Sequence, residues 1–403
     1  MSAHVPVLIF GAHIAALGVL RVLATRGIPC YVVDETSNII TGSRWYRPVE
    51  RKLLETSDGD VLADYLESLR LQRAVLIPCS DNWSLAVAGL PAVTRERFLA
   101  CVPSRETVQK FVDKDRFRAL VEHLGIPCPR SWPLRGPEDL DRLTDDQISN
   151  AFFKPTDPQL HRAHFGTKGS FVKSRREAER LLEQASAVGI SFLLQEWIHG
   201  DMASTVLIEG FVDRNGRIVG TVARRRLRVA PPMIGNTVSS VTIPLDEVQC
   251  ALPDLRRLLS ETDYRGAFNV EFKFDVRDRT FKIIELNPRP AWYIATIASA
   301  GLDLPWSIYL DAQGLPVEPP AVYRSGRYSL YEFRDAIAVM RYVKALRIPE
   351  GAVLGPWIWG DHTVFWWSDP VPALLGMWQI LERLVSRALG RPRRQGTEGN
   401  GVT

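Results

Sequence analysis

The stretch from Asn269 to Pro290, NVEFKFDVRDRTFKIIELNPRP, has few ways to fold. Apolar and polar residues alternate on both sides of a charged DVRDR segment, the pattern of two antiparallel strands joined in a hairpin. Residues two apart share a sheet face, so Glu271, Lys273 and Asp275 lie on one side of the first strand and Phe272 and Phe274 on the other. On the second strand Phe281, Ile283, Glu285 and Asn287 share a face. A turn centred on Asp278 pairs Asp275 with Phe281 and sets Glu271 opposite Glu285, with Cβ atoms about 4.5–5.5 Å apart. Carboxylates so placed repel, so either one holds a proton or a cation sits between them. Asn287 adds the neutral oxygen that a hard divalent cation favours. Taken alone, the hairpin leaves a metal site and a bare solvated face as equal alternatives.

At 403 residues the chain has room for two or three domains. Its net charge of +4, from 50 basic and 46 acidic residues, is too even to imply a nucleic-acid surface and leaves anionic small molecules as partners. The five cysteines, Cys30, Cys79, Cys101, Cys128 and Cys250, have no CxxC spacing, so neither a disulfide framework nor a zinc knuckle is expected. With no signal-peptide pattern and no apolar run near the roughly 20 residues of a membrane span, a cytoplasmic location is expected. Homo-oligomerisation is left open.

The opening VPVLIFGAH and PCYVVDE read as strands flanking the helical IAALGVLRVLATRG, a βαβ unit, and AVLIPCS and FLACVPS supply further strands of a doubly wound layer. Gly11 and Gly18 match part of a dinucleotide fingerprint, but the second glycine of GxGxxG is missing, so a structural role is expected for the sheet. Asp81 follows the third strand, either as a helix cap or facing a cleft. Beyond Pro103 come an amphipathic helix pair ending at Gly125, the strand AFFKP, a polar loop DPQLHRAHFGTKGSF, a helix RREAERLLEQASA and the strand LLQEWIHGD. A long hairpin with an RNGR turn follows, carrying RRRLR; regular alternation puts Arg224, Arg226 and Arg228 on one face and Arg225 on the other.

In this order KDRFRALVEHLGIPCP, FFKP, the glycine-containing loop, LLQEWIHGD, RRRLRVAPP, NVEFKFD and IIELNPRP resemble the ATP-grasp superfamily. Within it, the likeness is to ligases that join a carboxylate to an amine, of the D-aspartate ligase and carnosine synthase kinds. It extends over residues 1 to about 312. The fold class so implied is α/β plus α+β, an ATP-grasp fold behind a Rossmann-like domain. The expected division is residues 1–105 for the Rossmann-like domain, 106–195 for a small lid subdomain, 196–312 for a large subdomain with the metal site, and 313–403 for a C-terminal extension.

The resemblance implies ATP and Mg²⁺, as one or two ions with Mn²⁺ able to substitute. It assigns Lys114 and Lys154 to the ATP phosphates and Gly166, Lys168 and Gly169 to a flap over them. Glu196, Trp197 and Ile198 fall to the adenine, and Asp201 to the ribose hydroxyls. Glu271, Glu285 and Asn287 become metal ligands. Arg228, Arg225 and Arg289 are expected on the transferred phosphate or the substrate carboxylate, where guanidinium geometry suits both. The implied reaction is amide formation through an acyl phosphate between a small carboxylate and an amine or amino acid. The alternatives are an ATP-grasp carboxylase or kinase with another acceptor, and an inactive nucleotide-binding regulatory protein. Near the end, Trp378, Leu381, Leu384 and Val385 recur at helical spacing before a basic tail. Packing of that helix on the body is expected over contact with a membrane surface.

Overall fold

A computed structural model describes residues 4–33, 39–167, 169–230, 235–320, 322–346 and 350–388. The chain forms two compact units, one of Met1–Leu124, Asp201–Phe272 and Glu285–Thr403, the other of Gly125–Gly200 and Lys273–Ile284. Residues after 312 are therefore part of the first unit.

In the first unit the wholly buried strand Val7–Phe10 pairs in parallel with Cys30–Val33 and with Ala74–Pro78, and Phe98–Leu99 completes a four-stranded sheet. Alternation divides the strand between two cores. Val7 and Ile9 join Val75 and Ile77, while Leu8 and Phe10 join Leu76. Burial on both faces is what a parallel strand with no polar positions requires. Helix Ile14–Ala24 packs in the first core. A Cβ on Gly18 would stand 2.5 Å from Cγ2 of Ile294, on helix Ile294–Ala300. Close helix packing thus accounts for Gly18 without a dinucleotide.

Among the described residues a larger sheet has seven strands in the order Thr280–Asn287, Gly266–Asp275, Thr205–Val212, Ile218–Ala230, Asn236–Ile243, Tyr328–Leu330 and Asp361–His362. Gly216, at φ +83°, makes the tight turn of the long hairpin. Between Arg226 and Arg228 the register with Asn236–Ile243 shifts. This irregularity overturns the expected common face for Arg224, Arg226 and Arg228, because an unmatched residue interrupts the alternation. Helices Glu332–Leu346, Glu350–Trp359 and Val371–Ala388 follow. The buried Arg21 ties the first helix to this end of the chain, with Nε 2.9 Å from Asp369 Oδ2 and Nη2 2.8 Å from the carbonyl of Val364. Trp378, Leu381 and Val385 do not pack on the body as expected but are exposed. The Leu384 side chain lies outside the described set.

The second unit is built on an antiparallel sheet, Ser131–Leu134, Phe192–Glu196, Ala151–Pro155 and Ser170–Phe171. Helix Arg175–Ser186 covers one face with Ala178, Leu182 and Ala185, which meet Phe153, Phe192 and Leu194. Part of the expected polar loop is instead the helix Pro158–Phe165. Asp157 caps it by accepting the Leu160 N–H at 2.9 Å, and the His161 ring buries between Phe165 and Phe192.

At its turn the NVEFKFD hairpin departs from the expected register. The Phe274 and Phe281 rings meet at 5.2 Å, and Lys282 Nζ donates to Asp275 at 2.8 Å. Phe281 thus shares a side with Phe274, not with Asp275. The cause is Arg279, which adopts φ 58° and returns its N–H to the Asp275 carbonyl at 2.9 Å, so the turn is not centred on Asp278. A one-residue slip exchanges faces, so this turn does not by itself set Glu271 opposite Glu285.

Candidate active site

Each unit carries part of the expected site. In the second, burial of Ala151, Phe153 and Pro155 in the core leaves Phe152 and Lys154 on the opposite sheet face. Register places Gln195 across from Phe152 and Leu193 across from Lys154. Phe171 joins them, its ring 4.9 Å from Phe152 and 4.8 Å from Trp197, and Lys273 Nζ lies 4.6 Å from the Trp197 ring centroid. The aromatic cluster dictates Gly169, where a Cβ would overlap the Phe152 ring; Gly166 takes φ +74° just after its helix. Lys168 lies outside the described residues. The face therefore offers aromatic surface beside cationic side chains, suited to a flat base carrying phosphates. Sequence reasoning named Lys154 and Trp197 but passed over Phe152 and Phe171, which join them on this face. The doubled Phe of AFFKP held the clue, since one of two adjacent strand residues must point away from the core.

Glu196 accepts the Arg130 N–H at 3.2 Å and Arg277 Nη2 at 2.9 Å, with Lys282 Nζ 3.7 Å away. Burial raises its pKa, but the Arg130 N–H and guanidinium, with Lys282, outweigh that and hold the carboxyl below its ordinary value. Its side chain is thus engaged by three cations. Ile198 is buried.

Asp275 accepts from Arg277 Nη2 and from Lys282 Nζ, each at 2.8 Å. Burial pushes its pKa up, but the hydrogen bonds from Arg277 and Lys282 overcome this and drive it far below the ordinary carboxylate range. A depressed folded-state pKa contributes stability above the unfolded value, about 3.9, and that stability is lost as pH falls through the folded value. Denaturant unfolding from about pH 5 down to about pH 2 is expected to show falling stability, with a shallower slope in Asp275→Asn. Equal slopes would remove Asp275 as a source of the acid sensitivity.

In the first unit, Lys114 is the exposed first residue of helix Lys114–His123, behind the Asp113 cap. Asp201 Oδ1 accepts from both the N–H and the hydroxyl of Ser204 at 2.9 Å, closing the turn Met202–Ser204. The arginines of RRRLR take separate acidic partners. Arg224 is buried on Glu209, Arg225 reaches Glu247 at 2.9 Å, and Arg228 grips Asp335 through Nε at 2.5 Å and Nη2 at 2.9 Å. Arg226, passed over in the sequence reading, donates to Glu271 Oε2 at 2.6 Å and Thr237 Oγ1 at 2.8 Å.

A second row starts on Thr280–Asn287, the strand beside the one that bears Glu271. Asn287 Nδ2 donates to Glu285 Oε1 at 3.1 Å, Arg289 Nη2 to Asn287 Oδ1 at 3.2 Å, and Arg289 Nε to Asp81 Oδ1 at 2.7 Å. Asp81 is not the helix cap, a role taken by Ser80. His13 stands close by. Burial first, then the Arg289 charge, lowers its pKa to about 4, so the ring is neutral near pH 7, and its Nδ1 is sealed from solvent with no partner among the described residues. No motif pointed to His13.

Among the described residues no group of three or more His, Cys, Asp or Glu is arranged to hold a metal. The donor set of Glu271, Glu285 and Asn287 nevertheless fits Mg²⁺, which takes one or two carboxylates and completes its shell with water and phosphate oxygens. All three supply hard oxygens. Asn269, two residues before Glu271 on the same strand, has a buried Oδ1 with no partner among the described residues.

No family model matches the chain. The chain has the ATP-grasp fold: it aligns over 85% of its length with 87% of an N5-carboxyaminoimidazole ribonucleotide synthetase solved with ADP, at a TM-score of 0.61 and 15% identity. An L-amino acid ligase from Bacillus licheniformis aligns at a TM-score of 0.56 and 12% identity, over 79% of this chain and 76% of that one. The D-aspartate ligase of Enterococcus faecium is 22% identical over 253 residues, which cover 60% of this chain. The chain spans 59% of the length of that relative. The relatives are thus ATP-grasp ligases of the carboxylate–amine kind, as the ordered motifs led us to expect.

Proposed function

We propose that the protein is an ATP-dependent ligase joining a carboxylate to an amine or amino acid, releasing ADP and phosphate. The observation that carries this reading is the row Glu285–Asn287–Arg289–Asp81, which starts on the strand next to the one bearing Glu271, itself paired with Arg226. Carboxylate, amide and guanidinium groups in that succession suit a cation-bound polyphosphate and the oxyanion that forms as it reacts. We read residues 1–105, 106–195, 196–312 and 313–403 as the four functional parts of such an enzyme, acting in the cytoplasm. All five cysteines are free, which fits a reducing compartment.

In this mechanism an oxygen of the substrate carboxylate attacks the γ-phosphorus of ATP and ADP departs. The amine then attacks the acyl carbon, and phosphate leaves with the former carboxylate oxygen. Lys114 and Lys154 neutralise the phosphates, and the loop holding Gly166, Lys168 and Gly169 closes over them. Phe152, Trp197 and Ile198 form the adenine surface, Glu196 fixes that strand through its cations, and Asp201 addresses the ribose. Glu271, Glu285 and Asn287 would hold Mg²⁺, whose charge would offset that of the polyphosphate. Arg289 steadies the transferred group, with Arg226 reaching it once freed from Glu271. Arg225 is the remaining candidate for the substrate carboxylate. Arg228, with its guanidinium committed to Asp335, we assign to support of the strand. Holding both partners in one site makes the second step effectively intramolecular, worth up to about 7–11 kcal/mol in well-oriented systems.

A coupled ADP-release screen of amino acids against carboxylated acceptors, with mass spectrometry of the products, tests this. Release that needs both an acid and an amine, with a condensed product, is expected. ADP release that ignores the amine would point to a carboxylase or kinase instead, and no turnover with any pair to a regulatory protein.

A further inference from the structure

Exposed large apolar side chains gather at one end of the sequence. Of nineteen among the described residues, twelve lie between Ile337 and Val385, about an eighth of the chain. Helix Val371–Ala388 shows the pattern best. Leu374, Trp378, Leu381 and Val385 recur at intervals of four, three and four residues, which puts them on one stripe, and they are 59%, 65%, 53% and 48% exposed. The opposite side of its first half holds the helix in place. Pro372, Ala373 and Gly376 are buried, and a Cβ on Gly376 would overlap the Phe333 ring. The helix is therefore fixed with its apolar stripe outward, the reverse of an ordinary surface helix. Trp367, 91% exposed, stands just ahead of it.

We propose that this helix is a membrane-surface anchor that settles its Leu374–Trp378–Leu381–Val385 stripe into the headgroup region of an anionic bilayer. Charge selects this occupant. From Arg383 to Arg394 the sequence holds five arginines, Arg383, Arg387, Arg391, Arg393 and Arg394, and no acidic residue. A second copy of the chain would bring the same positive charge to the interface, whereas anionic lipid brings the opposite. Charge also sets the mode. The described helix carries Glu382, Arg383 and Arg387 within its last two turns, and no described helix is long and apolar enough to cross a bilayer. Tryptophan suits the interface because its ring is apolar and its N–H remains hydrated. The inference is independent of the proposed ligase activity, which uses none of these residues.

Co-sedimentation of the full chain with phosphatidylcholine vesicles, with and without phosphatidylglycerol, tests the anchor. Binding is expected only with phosphatidylglycerol and is expected to weaken as salt rises. The double variant Trp378→Glu/Leu381→Glu should bind at least about tenfold more weakly, and Arg391→Gln/Arg393→Gln/Arg394→Gln should lose most of the lipid selectivity. Both variants should keep the melting temperature and ATP turnover of the wild type, since the altered side chains are exposed or lie in the basic tail. Failure of the wild type to bind either vesicle would overturn the proposal, as would equal binding by the double variant. So would a dimer, seen by size-exclusion chromatography with light scattering, that the double variant dissolves while vesicles are ignored.

Discussion

Glu285→Ala is expected to cut ATP-dependent phosphate release at least about a hundredfold while leaving the fold intact. The side chain is exposed and accepts a hydrogen bond from Asn287, so little packing is lost. The chemical loss is larger. Without that carboxylate the proposed metal set falls to Glu271 and Asn287, and Asn287 loses the acceptor that orients its amide. Glu285→Gln separates these effects, because it keeps an oxygen for the Asn287 N–H but removes the charge. It should therefore raise the Mg²⁺ concentration needed for half-maximal rate more than it alters the melting temperature. Full turnover by Glu285→Ala at low Mg²⁺ would take Glu285 out of the metal site.

Arg228→Ala should destabilise the protein by about 3–5 kcal/mol, the cost of leaving a buried charge without its partner. The side chains of Arg228 and Asp335 are 1% and 0% exposed, and two hydrogen bonds join them. Asp335 also accepts from the Trp357 indole N–H at 2.9 Å, so the loss reaches into the C-terminal helices. Replacing both partners by apolar residues of similar volume, as in Arg228→Met/Asp335→Leu, should recover most of the stability. Urea denaturation of the three variants measures this. An Arg228→Ala protein that unfolds at the wild-type midpoint yet fails to turn over ATP would restore the catalytic role first expected for Arg228.

Patterns that depend on local rules were readable in the sequence. The Val7–Phe10 strand and its helix, the Arg175–Ser186 helix and the long hairpin with Gly216 all follow from periodicity and turn chemistry. What sequence reasoning missed depended on single-residue irregularities or on distant partners. The shift after Arg226 and the turn at Arg279 each alter a face by one residue, and no periodicity encodes them. Arg228 looked like a site residue because its partner, Asp335, lies 107 positions away. His13 and Asp81 come near Arg289 through the folding of distant segments, so neither could be joined to IIELNPRP by spacing. The stripe on Val371–Ala388 was visible as amphipathic, but the exposed side was misjudged, because Gly376 against Phe333 decides which face turns inward.

The most direct measurement follows one oxygen. With a substrate pair from the ADP-release screen, the carboxylate partner is labelled with ¹⁸O and the released phosphate is analysed by mass spectrometry. An acyl phosphate intermediate predicts one ¹⁸O atom in phosphate for each amide formed. Phosphate free of label, or label recovered in AMP, would contradict phosphoryl transfer to the carboxylate and with it the proposed mechanism.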